Sequence, residues 1–415
     1  MKKLIAMALT ASMALGLAAC GSSSSSTTDS SSAATSAATS AQEASTEAPA
    51  AAATEAPAAS TEAAATGDAS GIKVAMITDY GDITDMSFNQ TTYEACKSWA
   101  ADNGTDFTYY KPEGDSDAER EAMIDKAVSD GYNVVVMPGY AFAQAVTDEV
   151  DMYPDVKFVA LDVSQSDLDS TSGETGFARD NLYCAIYQEE LPGYMAGYAA
   201  VKMGYKKLGF LGGMAVPAVI RYGFGYVQGA DAAAKELGIS DVSIEYAYAN
   251  QFYGDADITA AMDTWYQGGT EVVFACGGGV YTSACEAAAK VDGKVIGVDV
   301  DQKETIDGQY GDGMCITSAV KGLRATVVTL LDAIRDGNWD DYKGQVQNLG
   351  IVSDDPDENY VGLPEDSTVW TDGFTDDDYR QLVKDMHSGA ITVSNDTSAM
   401  PEVSNVTVDD QGNLK

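Results

Sequence analysis

The sequence predicts an α/β protein of two Rossmann-like lobes, each built on a parallel sheet and joined to the other by crossovers. Three observations carry that reading. From about residue 72, short apolar runs of strand type alternate with helical stretches. After about residue 190 the same alternation starts again. The stretch 71–415 is also longer than one hydrophobic core usually serves and suits two domains.

The elements follow in order. Residues 72–78 (Ile-Lys-Val-Ala-Met-Ile-Thr) read as a buried strand, and a helix is expected at about 89–101. Residues 107–110 are a short strand and 117–129 a helix. Residues 133–137 are a strand closed by Pro138-Gly139, 141–150 a helix, and 157–161 a strand ending at Asp162. The second series has helices at about 191–203, 219–237, 258–267 and 282–291, with strands at 207–212, 243–248, 271–275 and 294–298. Segments near 176–187, 315–320 and 345–352 lie between the two series and read as crossovers. A helix at 323–335 is expected to return to the first lobe. On this reading lobe 1 spans about 71–183 plus 316–345, and lobe 2 about 184–315 plus 346–393. A last helix is expected at about 375–386 with a short strand after it, and the final twenty residues look frayed.

Ahead of the folded part stands a secretory leader. Lys2 and Lys3 precede an apolar run over 4–17, and Leu17-Ala18-Ala19-Cys20 supplies small residues at a cleavage site. A Cys at that point is the lipidated residue of bacterial lipoproteins, and the alternative is a plain signal peptide with an incidental Cys. The run is too short to span a bilayer. Residues 21–70 are nearly all Ser, Thr, Ala, Glu, Pro and Gly, a composition that cannot bury enough apolar surface to offset its ordering entropy. They read as a flexible tether. A soluble domain held by a lipid at the extracytoplasmic face of the cell membrane is therefore expected.

Composition excludes several function classes. The chain carries 64 acids against 24 bases, a formal net charge of −40, with no basic patch for a nucleic acid. With one histidine, His387, and no cysteine cluster, there is little material for a zinc site or a Ser-His-Asp triad. The cysteines after Cys20 are Cys96, Cys184, Cys276, Cys285 and Cys315; an odd set in apolar runs reads as buried free thiols. No cofactor motif is present: Gly277-Gly278-Gly279 has no following Gly-Lys-Ser/Thr and is not a dinucleotide fingerprint.

In open α/β sheets ligands bind outside the carboxyl ends of strands. The polar residues there are Asp79, then Ser87-Phe88-Asn89-Gln90, Asp162, the glycines from Gly277, and Asp299-Val300-Asp301-Gln302. Phe88 suits stacking on a flat ligand, and Asn89 offers a donor and an acceptor to a ring edge. The competing reading is a helix cap at Ser87 or Asn89 with Phe88 packed beneath it. Asp162 and Asp299 have the same bland alternative, and Lys321 that of a salt bridge.

The stretch Asp79-x-Gly81-x-Ile83-x-Asp85-x-Ser87-Phe88-Asn89-Gln90 resembles the opening signature of the basic membrane protein family, substrate-binding lipoproteins of ABC importers. Tyr194-Met195-Ala196-Gly197-Tyr198, Gly212-Gly213-Met214 with Arg221 and Gly229, Gly297-Val298-Asp299-x-Asp301-Gln302, Thr317-Ser318-Ala319-x-Lys321 and Val361-Gly362-Leu363 follow in the family's order. The resemblance covers about 72–393 and implies a type I periplasmic-binding-protein-like fold, a purine nucleoside as ligand and an ABC permease as partner. It implies that Phe88 and Phe252 sandwich the base, with Tyr253 a rival for the second place. Asn89 and Asp79 would lie by the base, Asp162 and Asp299 would hold the ribose hydroxyls, and Lys321 and the Gly277 strand end would face the ligand. Tyr80 and Asp82 flank Gly81 where the family usually shows Gly-Gly. A sugar or signalling ligand on the same fold, a surface nucleoside hydrolase and a structural antigen are the other readings.

Overall fold

Strand β1 (Lys73–Ile77) is buried over its last four residues, because helices cover both faces of the sheet it enters. It is followed by α1 (Phe88–Asp102), β2 (Asp106–Tyr110), α2 (Asp117–Ser129), β3 (Val134–Pro138), α3 (Ala143–Glu149), β4 (Lys157–Leu161), α4 (Gln165–Ser172) and β5 (Leu182–Tyr187). The second series is α5 (Glu190–Lys202), β6 (Lys207–Gly212), α6 (Pro217–Leu237), β7 (Val242–Tyr248), α7 (Ala256–Gln267), β8 (Val272–Cys276), α8 (Tyr281–Ala288), β9 (Lys294–Asp299), α9 (Lys303–Tyr310) and β10 (Cys315–Lys321). The chain closes with α10 (Leu323–Asp336), β11 (Val346–Leu349), β12 (Val361–Gly362), α11 (Asp376–His387) and β13 (Val406–Asn413). This computed structural model describes residues 67–415; Cys20, the leader and the tether up to residue 66 lie outside the described residues.

The strands form two sheets, ordered β11-β5-β4-β3-β1-β2 and β12-β10-β9-β8-β6-β7-β13. Every pairing is parallel except that of β12 with β10. The first five strands of each lobe share one order, so β6 repeats β1 and β10 repeats β5. Alternation along each strand feeds two cores per lobe. In lobe 1, Val74, Met76, Val134 and Val136 face one core, and Ala75, Ile77, Val135 and Met137 the other. In lobe 2, Leu208 and Phe210 belong to one core and Leu211 with Val273 to the other.

Four expectations are corrected. The three segments read as crossovers are strands, and the lobe boundaries move with them. β10 pairs with β9 and belongs to lobe 2, whereas β11 pairs with β5 and belongs to lobe 1. An apolar run must satisfy its backbone groups once buried, and a sheet edge does so. The chain crosses between lobes just after these strands, at Gln188-Glu189, at Gly322 and over 350–360. The last residues are ordered in β13, parallel to β7, with Trp265 Nε1 donating to Gln411 Oε1 at 3.2 Å. The tether ends earlier than residue 70, since Ala69 is buried in the lobe 1 core.

Helices α5 and α6 meet along a glycine seam. A Cβ at Gly197 would stand 2.1 Å from the Tyr226 carbonyl oxygen, and one at Gly229 2.0 Å from that of Tyr194. Gly193 and Gly225 repeat the contact one turn nearer the cleft. Backbone lies on backbone here, so no side chain fits between.

Candidate functional site

In each lobe the strand order reverses between the first and third strands, and this switch point opens toward the other lobe. Asp79 follows β1 and accepts the Gly81 backbone N–H at 2.7 Å. Gly139 follows β3 with φ 128°, and a Cβ there would meet Asp79 Oδ2 at 2.7 Å, so the turn has room only for glycine. Asp162 after β4 and Asp299 ending β9 hold matching places in the two lobes. Both have left-handed backbone, φ 62° and 67°, which aspartate tolerates better than most residues but at a cost. That strain turns both carboxylates at the strand ends into the cleft.

The start of α1 is capped by Asp85, and neither Ser87 nor Asn89 caps it. Asp85 Oδ1 accepts the backbone N–H groups of Ser87 (2.9 Å) and Gln90 (3.1 Å), and Oδ2 accepts that of Asn89 (2.9 Å). Ser87 is thereby released to donate its hydroxyl to Asp299 Oδ2 at 2.5 Å, across the lobes. Gln302 Nε2 donates to the Met86 carbonyl at 3.0 Å beside it. Asn89 is buried, and its Oδ1 has no hydrogen-bond partner.

Lys321, at the exit of β10, gathers the charge. Its Nζ lies 2.8 Å from Asp162, 3.3 Å from Glu189 and 3.7 Å from Asp299, and 4.5 Å above the Phe88 ring. Glu189 is fully buried in the first crossover and also accepts from Arg221 Nε of α6 at 2.7 Å. Burial works against the lysine's charge, but the three carboxylates more than offset it and hold its pKa above the usual value. Burial raises Asp162 to about 6 against the pull of Lys321. Burial likewise raises Asp79 to about 6, opposed by the backbone N–H groups of Gly81 and Tyr80. Asp299 is raised by burial too, with Lys321 and Ser87 opposing. Asp162 Oδ1 has no partner, so one acceptor of the cluster remains unused.

The other wall is aromatic. Phe252 follows β7, and its Cδ1 side lies so close to Gly213 and Gly277 that a Cβ on either would stand 2.4 or 3.0 Å away. Its ring faces Tyr80 of lobe 1, centroids 5.9 Å apart and planes 24° from parallel. Tyr253 is 63 % exposed, so Phe252 is the inward member of the pair. Asp79, Phe88, Asn89, Asp162, Phe252, Gly277, Asp299 and Lys321 all line one interlobe cavity of about 780 Å³. Six aspartates and two lysines line it, and both lysines are ion-paired, Lys111 with Asp82 at 2.8 Å. Reading the sequence missed Glu189 and the place of Tyr80 opposite Phe252. Glu189 sits in Gln188-Glu189-Glu190, which looks like any acidic helix start.

Residues 72–394 match the family described as Bmp, ABC transporter substrate-binding protein PnrA-like. The chain belongs to that family. Among Bmp relatives, the ABC transporter nucleoside-binding protein BmpA of Lactococcus lactis subsp. cremoris is 28% identical over 297 residues, 66% of this chain and 80% of that one. Basic membrane protein B of Borreliella burgdorferi is 26% identical over 301 residues, 71% of this chain and 81% of that one. A lipoprotein of Pyrococcus abyssi is 25% identical over 305 residues, 71% of this chain and 69% of that one. The first of these names denotes a binding protein and the third a lipoprotein. A solute-binding protein of an ABC transporter system from Aeropyrum pernix K1 shares the fold at TM-score 0.59 and 22% identity, over 79% of this chain and 88% of that one. One from Conexibacter woesei matches equally, at 0.59 and 22%, over 78% and 99%. Among the described residues no helix is long and apolar enough to cross a membrane.

Proposed function

We propose that this Bmp-family protein captures one uncharged purine nucleoside between its lobes and presents it to the permease of an ABC importer. The observation that carries the reading is the polarity of the cavity. Aromatic Phe252 and Tyr80 face each other at one end of the cavity, and at the other the Asp162–Asp299–Lys321 cluster holds an unpartnered carboxylate oxygen. A nucleoside has the same two ends. Its base stacks on Phe252, while Asp79 and the free Oδ1 of Asn89 meet the base edge. Asp162 and Asp299 accept from the ribose hydroxyls, each charge-assisted bond contributing about 1.5–3 kcal/mol. Gly277 lets backbone approach the ligand. Six aspartates with both lysines already paired repel a phosphate, which separates nucleosides from nucleotides. The name of the Lactococcus relative supports the same ligand class.

Anchoring follows from the leader. Lipidation at Cys20 would tether the domain to the outer face of the membrane through the Ser/Thr/Ala-rich spacer, and Cys20→Ala should release it or block its processing. Full retention of that variant in the membrane fraction contradicts the anchor. The ligand is tested by thermal shift against inosine, guanosine, adenosine and a panel of sugars. Nucleosides should raise Tm, since a ligand at 100 times its Kd stabilises by about 2.7 kcal/mol. Stabilisation by a sugar and by none of the nucleosides contradicts the reading.

A further inference from the structure

Strand β13 lies beyond residue 394, where the family match ends. It has no counterpart in lobe 1: β13 covers the outer edge of β7, whereas β2, at the same place in the other sheet, has no outer neighbour among the described residues. Because β13 runs parallel to β7, it leaves the sheet at the cleft end, beside the loop that carries Phe252. Its register takes up one extra residue between Asp410 and Asn413, where Gly412 has φ 66°. The Leu414 N–H then donates to the Tyr248 carbonyl at 2.8 Å, and the Leu414 side chain packs against the lobe 2 core of Leu211 and Val273. This brings Lys415 to Gln251 and Asp255, the two residues that bracket Phe252. Lys415 Nζ is ion-paired with Asp255 Oδ2 and lies 3.4 Å from Gln251 Oε1. Gln251 Nε2 closes the loop on itself, donating to the Tyr253 carbonyl at 2.8 Å and to Asp255 Oδ2 at 3.0 Å. Asp255 Oδ1 is occupied in capping α7, where it accepts the N–H groups of Asp257 and Ile258 at 3.0 Å each. On the inner side the Phe252 carbonyl accepts the Gly279 N–H at 2.8 Å, and Ser283 Oγ accepts the Asp255 N–H at 3.0 Å. The loop is thus tied to the body of lobe 2 on one side and to β13 on the other.

We infer that β13, acting through Lys415, is a strap that positions Phe252: it fixes the loop 251–255 so that the ring stands in the cavity before the ligand arrives. The inference rests on the nucleoside reading above, in which the base stacks on Phe252. A loop that must be ordered on binding subtracts its ordering cost from the affinity, and a loop held in place beforehand does not. Lys415 does not line the cavity, so it acts through the loop and is a positioning residue.

The test is calorimetric titration of inosine against Lys415→Met, Lys415→Arg, Asp255→Asn and Phe252→Leu, and against Lys415→Met combined with Asp255→Asn or with Phe252→Leu. Asp255→Asn keeps an oxygen for the α7 cap and removes the charge. The paired side chains are 28 % and 30 % exposed, so Lys415→Met and Asp255→Asn should each weaken inosine only about two- to fivefold. Together they should cost no more than either alone, since they remove the same pair. Lys415→Arg should recover most of the parent affinity. In the Phe252→Leu background Lys415→Met should cost nothing further, because the strap then has no ring to hold. A Lys415→Met affinity per folded molecule equal to the parent's overturns the inference, whatever its Tm. An equal loss with and without the Phe252 ring also overturns it, and both results leave the nucleoside reading standing. Failure of the parent chain to bind any purine nucleoside overturns both.

Discussion

Asp162 uses one oxygen on Lys321 and holds the other free, and with Asp79 it makes the site sensitive to pH. Burial raises both carboxyls to about 6. A hydroxyl-donating ligand needs the ionised acceptor, so binding draws the pKa down. Affinity for inosine should be full above about pH 7 and fall below pH 6 by up to about tenfold per unit for each carboxyl that must ionise, with protons released on binding at pH 5.5. Titration at pH 5 and 7.5 checks this; equal affinity at both contradicts the acceptor role. Stability of the ligand-free protein should run the other way. Carboxyls raised above their unfolded value stabilise the fold most when protonated, and that contribution is lost as pH rises through the folded pKa. Glu149 and Glu190, raised by burial to about 7, add to the trend. The carboxyls held low, such as Asp255 beside Lys415, titrate below this window. Tm should therefore be higher at pH 5.5 than at pH 7.5. At this scale much was legible, because a polar residue just past an apolar strand is visible in sequence, as at Asp162 and Asp299. Glu189 was not, since only its burial between Lys321 and Arg221 separates it from a solvated acid.

The α5–α6 seam gives the motif glycines a structural role. Gly197 and Gly229 were legible as family positions, yet periodicity alone could not show that each meets a carbonyl oxygen of the facing helix. The seam also sets Glu189, just before α5, against Arg221 of α6. Gly229→Ala places a methyl where the Tyr194 carbonyl stands at 2.0 Å, so the helices must part. A loss of about 1–3 kcal/mol is expected by urea unfolding, with inosine affinity per folded molecule unchanged. Unchanged stability would show that the helices separate without cost. The strands illustrate the opposite limit of sequence reading. β10 and β11 have the right composition, but nothing local says which sheet they join; only their pairing with β9 and β5 places them in lobe 2 and lobe 1.

Two lobes of one strand order are linked by three crossovers, and those crossovers carry Glu189 and adjoin Lys321. Charge neutralisation therefore sits beside the crossovers, while the strand ends of both lobes meet in front of it. The lobes touch through Ser87–Asp299 and Gln302–Met86, formed between the mouth of α1 and the end of β9. A ligand that bridges the lobes is aided by these contacts. Ser87→Ala combined with Gln302→Ala should weaken inosine by about 1–3 kcal/mol, roughly five- to 150-fold, read by calorimetry. An affinity equal to the parent's would mean that ligand binding does not draw on them. The two-lobed plan was legible because the alternation of strand and helix repeats; contacts between lobes were not, because residues 87 and 299 lie 212 positions apart.

The central claim is that the cleft is built for an uncharged nucleoside. Calorimetric titration of the protein with inosine and with inosine 5′-monophosphate at pH 7.5 tests it most directly. Six aspartates around the cavity, with both lysines ion-paired, predict one inosine bound per chain and a monophosphate affinity lower by at least about 100-fold. Equal affinity for the two, or no heat with inosine, would contradict the account.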